Sequence, residues 1–157
     1  MISATISGVL QTPAEAIAAL IYSYAERIDA GDFTGIADVF GGATLTFEGF
    51  GDAVSGQDAI TSLYERTTRR YDDGTPRTKH VMTNVLVDVA DDGTATSRSY
   101  FTVLQAVPGS LALQPIIAGR YHNAYENTDG SWRFVSVHII IDLMGDLAHH
   151  MLFDLAP

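Results

Sequence analysis

The sequence predicts an α+β fold, with helices on the N-terminal side covering one face of a mainly antiparallel sheet. Three observations lead to it. Apolar residues recur at three- and four-residue intervals as far as Tyr71, then alternate singly from Lys79 onward. Two acidic-glycine signals, Asp91-Asp92-Gly93 and Thr128-Asp129-Gly130, punctuate the alternating part; connections this short make successive strands antiparallel. The 157 residues, 46% hydrophobic and 18% charged, have the size and composition of one folded domain.

Thr12-Pro13-Ala14-Glu15 predicts the first helix start. Thr12 can cap, Pro13 suits the first helical position and Glu15 completes a capping box. Ile17, Leu20, Ile21, Tyr24 and Ile28 form its apolar stripe, and Gly31 is its stop. A short second helix carries Ile36, Val39 and Phe40, with Asp32 as its cap and Gly41-Gly42 as its end. "ATLTFEGF" reads as one strand. A third helix opens at Ser55-Gly56-Gln57-Asp58, carries Ile60, Leu63, Tyr64, Thr67 and Tyr71 on one side, and ends in "YDDGTP". The strands "KHVMTNVLVDVA" and "TATSRSYFTVLQAV" follow, then a loop from Pro108 to Pro115. "IIAGRYHNAYEN" and "SWRFVSVHIIIDL" make a second long hairpin.

Composition excludes several classes. A formal charge of -10 disfavours nucleic acid and anionic membrane surfaces, which need clustered Lys and Arg. There is no cysteine, hence no thiolate nucleophile and no disulfide, which fits a cytoplasmic location. "MISATISGVLQ" lacks the pattern of a signal peptide, and His138 and Asp142 interrupt the longest apolar run. No HExxH or similar spacing occurs, so neither metal nor other cofactor is expected.

The phrases "YAERIDAGDFTGIADVF", "GQDAI", "KHVMTNVLVDV", "GRYHNAYENTDGSWRF" and "VHIIIDLMGD" together cover most of residues 13 to 146. In that order they resemble the SnoaL-like branch of the nuclear transport factor 2-like (NTF2-like) superfamily, near its scytalone dehydratase-like and bile-acid 7α-dehydratase-like members. The resemblance implies a single domain over residues 1–157, with its core at about 12–146. It implies a cone-shaped α+β barrel, in which helices close a strongly curved sheet around a pocket. It implies a homodimer or homotrimer as well. A valine-rich face formed by Val81, Val85, Val87 and Val89 could serve that assembly, or belong to the core.

In the family's eliminating members, a histidine in an H-x-x-T-N strand acts as base, and an aspartate near the end of the first helix orients it. The matching residues are His80, in "HVMTN", and Asp29, in "RIDAGD". The dehydratase type adds a tyrosine five residues before the aspartate, where Tyr24 stands. The chemistry suits these residue types: a neutral imidazole takes a proton, and a carboxylate on its other nitrogen fixes its tautomer. By helical spacing Tyr24 and Asp29 point about 140° apart, so one cavity must wrap the helix end to receive both. Read singly, Asp29 is equally a solvated helix-end carboxylate, His80 a structural hydrogen-bonder and Tyr24 a core residue.

His138 alternates with Trp132, Phe134 and Ser136; if that face lines the pocket, His138, Trp132 and Phe134 contact the substrate, with Met82 beside His80. The halide-eliminating type also has an arginine in the hairpin near Asn127–Thr128, and this sequence has none there. The expected function is therefore a cofactor-independent lyase or isomerase, removing a proton from an apolar, cyclic small molecule. The alternatives are a non-catalytic module that binds a small hydrophobe or mediates assembly, and an accessory protein like a ring-hydroxylating oxygenase β-subunit.

Overall fold

The capping box that opens the first helix is formed in the computed structural model, which describes residues 11–153. Residues 1–10, where no leader pattern was read, lie outside the described residues. Thr12 Oγ1 accepts from the Glu15 backbone N–H at 3.2 Å, and the Glu15 carboxylate accepts from the Thr12 N–H at 2.8 Å. Helix α1 spans Pro13–Asp29. Asp32 then caps α2, Phe33–Phe40, through the Gly35 N–H. The chain continues as β1 (Thr44–Phe47), β2 (Phe50–Ser55), α3 (Gln57–Thr67), β3 (Thr78–Val89), β4 (Thr94–Val107), β5 (Leu111–Thr128) and β6 (Ser131–Met144). Among the described residues no helix is long and apolar enough to cross a membrane.

Six strands form one open sheet in the order β2-β1-β6-β5-β4-β3. Strands β3 to β6 make the expected antiparallel meander, whereas β1 joins β6 in parallel, so the sheet is mixed. The helices pack on one face. Ile17, Ile21 and Ile28 of α1, Ile36 and Phe40 of α2 and Ile60 of α3 meet Phe101, Val103, Phe134, Val137 and Ile139 of the sheet. Helix α1 lies along β3 at the sheet's edge, which sets the position of the site.

Four local expectations require correction. The single strand read across "ATLTFEGF" is a hairpin: β1 turns at Gly49, φ +76°, and Phe47 pairs with Phe50 of β2. Gly51 and Asp52 in β2 mask its strand signal. The loop read from Pro108 to Pro115 is mostly strand, because a bulge at Pro115–Ile116 absorbs the proline's missing donor. Helix α3 stops at Thr67, since Thr68 is extended and bridges to Met151, so Tyr71 lies beyond it. Finally, a bulge between Thr83 and Leu86, with Asn84 at φ +52°, inverts the alternation in β3. Val85 and Val87 therefore pack inward on the side of His80 and Met82, and no continuous valine face exists.

Gly31 is required twice over. Its φ is +71°, and a Cβ there would lie 2.1 Å from the Gly74 carbonyl oxygen. Gly31→Ala is expected to cost more than about 1 kcal/mol, seen as a lower denaturant midpoint. An unchanged midpoint would show that the close approach carries no weight.

Candidate functional site

The last residue of α1 and the third residue of β3 meet at the sheet edge. Asp29 Oδ1 accepts from His80 Nδ1 at 2.7 Å and from Thr78 Oγ1 at 2.8 Å; Oδ2 accepts from the His80 backbone N–H at 2.9 Å. The two side chains are 10% and 4% exposed, so this is no solvated helix end. Position argues the same way. A carboxylate at a helix C-terminus opposes the helix dipole by roughly 0.3–1 kcal/mol, and here three donors offset that. Burial acts to raise the Asp29 pKa. The hydrogen bond and charge of His80, the His80 N–H and the Thr78 hydroxyl outweigh burial and hold the carboxyl below its ordinary value. An ionised carboxylate only accepts hydrogen bonds, so Nδ1 of His80 carries a proton, and in the neutral ring Nε2 presents the lone pair.

His80 belongs to the wall of a cavity of about 480 Å³ under the helices, within the usual range for small-molecule sites. Apolar groups from every layer line it, among them Ile28, Leu63, Phe101, Val103, Ile139 and Leu147. Its mouth is edged by the exposed residues Phe50 to Ala53 of β2. Among the described residues the wall carries no Lys or Arg, and its polar groups include His80, His150 and three tyrosines.

Tyr24 lies at the centre of those tyrosines. The hydroxyls of Tyr64 and Tyr121 both approach its Oη at 3.3 Å, longer than the roughly 2.5–3.0 Å usual for such pairs. The Tyr24 ring stands edge-on to His80, centroids 6.1 Å apart. Burial raises the Tyr24 pKa, and the two neighbouring hydroxyls pull it back, while burial pushes Tyr64 and Tyr121 well above the ordinary value. Tyr24 is thus the acceptor of the three, which leaves its own O–H unassigned.

The 140° separation is resolved by His80. Its ring lines the cavity on Tyr24's side and also a shallow outer depression, shared with Tyr22, Glu26, Asp29, Lys79 and Met82. Asp29 reaches it from without and Tyr24 from within.

The structure thus brings together Asp29, His80 and Tyr24, and places the other four candidates elsewhere. Met82 stays beside His80, packed against the core and bordering the outer depression, and does not line the cavity. Trp132 packs on the core, and Phe134 is buried edge-on against Phe40. His138 lies on the far side of the sheet, bonded through Nδ1 to Thr46 Oγ1 at 2.7 Å. The cause is a bulge: Tyr125 pairs with Phe134 but Ala124 with Ser136, so Val135 is an extra residue and the alternation changes phase. Val137, Ile139 and Ile141 turn inward in consequence, and His138 outward.

Thr78, Tyr64, Tyr121 and His150 were not read as site residues. They come from β3, α3, β5 and the segment after β6, and no spacing in the chain connects them. A tyrosine recurring on each of three apolar stripes was the one available signal.

Residues 12–138 match the model of a family described as the SnoaL-like domain. No curated protein matches the chain. Among solved structures, Rv3472 of Mycobacterium tuberculosis, of unknown function, shares 24% identity over 82% of this chain and 71% of its own, with a TM-score of 0.66. A Novosphingobium aromaticivorans protein, provisionally assigned as a scytalone dehydratase, shares 19% over 83% and 85%, with a TM-score of 0.65. LinA shares 20% over 90% and 92%, with a TM-score of 0.66. Cystatin-like and ntf2-like folds of this kind recur among the similar structures.

Proposed function

This chain belongs to the SnoaL-like domain family, and from that premise we propose that it is a cofactor-independent lyase or isomerase for a neutral, apolar, ring-containing small molecule. The observation that carries the reading is the 2.7 Å contact of Asp29 with His80 Nδ1, which leaves Nε2 as a lone pair on the cavity wall. In this reading Nε2 takes a proton from carbon next to a carbonyl or a departing oxygen. Asp29 stabilises the imidazolium that forms. Tyr24, accepting from two hydroxyls, directs its own O–H to the substrate oxygen as negative charge develops there. A wall whose described residues include no Lys or Arg suits a neutral substrate, and its apolar breadth suits rings. The name of the scytalone dehydratase-like neighbour is consistent with such chemistry.

Deuterium uptake tests it. 2-Tetralone, a neutral bicyclic ketone, is incubated with the protein in D2O, and loss of its α-proton signals is followed by NMR. Wild-type protein is expected to accelerate exchange above buffer, and Tyr24→Phe to slow that acceleration by about ten-fold, the worth of one hydrogen bond. Ketone that binds but exchanges no faster than in buffer would favour a binding module over an enzyme.

A further inference from the structure

The segment after β6 carries one imidazole into a stretch of wall that is otherwise apolar. It folds back over the end of the cavity and is tied down at several points. The Arg69 N–H donates to the His150 carbonyl at 2.8 Å, the Tyr71 hydroxyl and Gln105 amide donate to the His149 carbonyl at 2.7 and 3.0 Å, and the Leu152 N–H donates to the Thr67 carbonyl at 3.0 Å. Leu147, Met151 and Phe153 thereby close the cavity, and His150 comes inward with them.

His150 is 7% exposed. Its Nδ1 is sealed and has no hydrogen-bond partner among the described residues. Its ring lines the same cavity as His80, and Nε2 is the nitrogen left to meet an occupant. Unpartnered buried polar atoms are rare, and one facing a site calls for a reason. A neutral imidazole has one N–H and one lone pair. With the proton on Nε2, the donor is placed where a ligand can accept it, and only the weaker demand of a lone pair is stranded at Nδ1. His80 has the opposite arrangement, its Nδ1–H being held by Asp29.

We propose that His150 is a substrate-contacting residue, whose Nε2–H donates a hydrogen bond to the carbonyl or hydroxyl oxygen of the molecule that His80 deprotonates. The proposal rests on the reading of His80 as base. As the C–H proton passes to His80 Nε2, its electron pair moves into the carbon framework and onto the oxygen. The growing charge there is met by His150 N–H and Tyr24 O–H. Burial, and then the nearness of His80, push the His150 pKa down to about 4 against the opposing pull of Asp29, so the ring stays neutral at neutral pH. A neutral donor of this kind can polarise a carbonyl without bringing a second buried cation beside an imidazolium.

The two rings can be read without any substrate. Two-bond 1H–15N correlation spectra of the 15N-labelled wild-type protein are expected to show His150 as the neutral Nε2–H tautomer and His80 bearing a proton on Nδ1. Adding 2-tetralone is expected to shift the His150 Nε2 signal. Tetralin, the same shape without oxygen, is expected to leave it near its free position. His150→Phe is expected to weaken 2-tetralone binding about ten-fold while sparing tetralin, and His150→Gln, which keeps an N–H donor, to recover part of the loss. An Nδ1–H tautomer at His150 in the wild-type protein overturns the proposal, as does equal weakening of ketone and hydrocarbon by His150→Phe. Loss of deuterium exchange in His80→Ala alongside undiminished ketone binding in His150→Phe would remove His150 and leave the base in place. Normal exchange in His80→Ala would remove the base itself.

Discussion

In His80→Ala, deuterium uptake into 2-tetralone is expected to fall to the rate in buffer, a loss on the order of 10²–10⁴. The size follows from the wall's composition. Tyr24, Tyr64 and Tyr121 are held in their protonated forms by burial, and a neutral His150 presents a donor, so none of them replaces a missing lone pair. Asp29→Asn should be milder. It keeps the shape, and its one carbonyl oxygen can still accept from the His80 N–H, but its NH2 then faces Thr78 and His80 Nδ1, which removes the charge that balances the imidazolium and favours the wrong tautomer. The order wild type, Asp29→Asn, His80→Ala in decreasing rate is therefore expected among variants with matched unfolding midpoints. An alanine variant that exchanges at the wild-type rate would leave the Asp29–His80 pair as a clamp between α1 and β3 and nothing more.

Acid is expected to destabilise the fold in two stages, the first through His150. Its folded-state value of about 4 lies below the ordinary 6.5, so between these values the unfolded chain binds the proton and the folded chain refuses it. The stabilisation is complete above pH 6.5, is lost as pH falls towards 4, and amounts to about 3 kcal/mol. Asp29 acts lower. Its carboxyl is depressed in the fold, so its contribution is present above the ordinary carboxylate value of 3.8 and is lost below it. Relief of self-repulsion works the other way, since a charge of -10 shrinks as the pH nears the sequence pI of about 4.6. The clean quantity is thus a difference. Denaturant unfolding at pH 7.5, 5.5 and 4.5 should show wild type losing more stability on acidification than His150→Gln. Parallel losses would mean that the buried ring titrates normally.

How much of this was legible in the sequence depended on whether a signal was local. The α1 cap, the Asp32 cap and the two turns of the meander depend on residues within a few positions of one another, and all form where they were expected. The pairing of Asp29 with His80 spans 51 positions and was reached through a resemblance, not through spacing. Side-chain direction along strands was the weak point. Alternation indicates facing only while the ladder is unbroken, and single extra residues in β3 and β6 reversed the facing of Val85, Val87 and His138. The tyrosine cluster had only the recurrence of one residue type as its signal and His150 had none, because each looks like ordinary apolar-stripe or tail composition until the fold closes.

One consequence lies in His80's position in the partition between the inner cavity and the outer depression. A base regains its working form only when the proton leaves from the nitrogen that took it. Here the ring's second nitrogen is held from behind by a buried carboxylate, so a proton lost on that side would leave N–H, not a lone pair, facing the cavity. On the proposed reading the proton therefore leaves through the front of the wall, to carbon or to the departing oxygen, so that turnover and water exclusion need not compete.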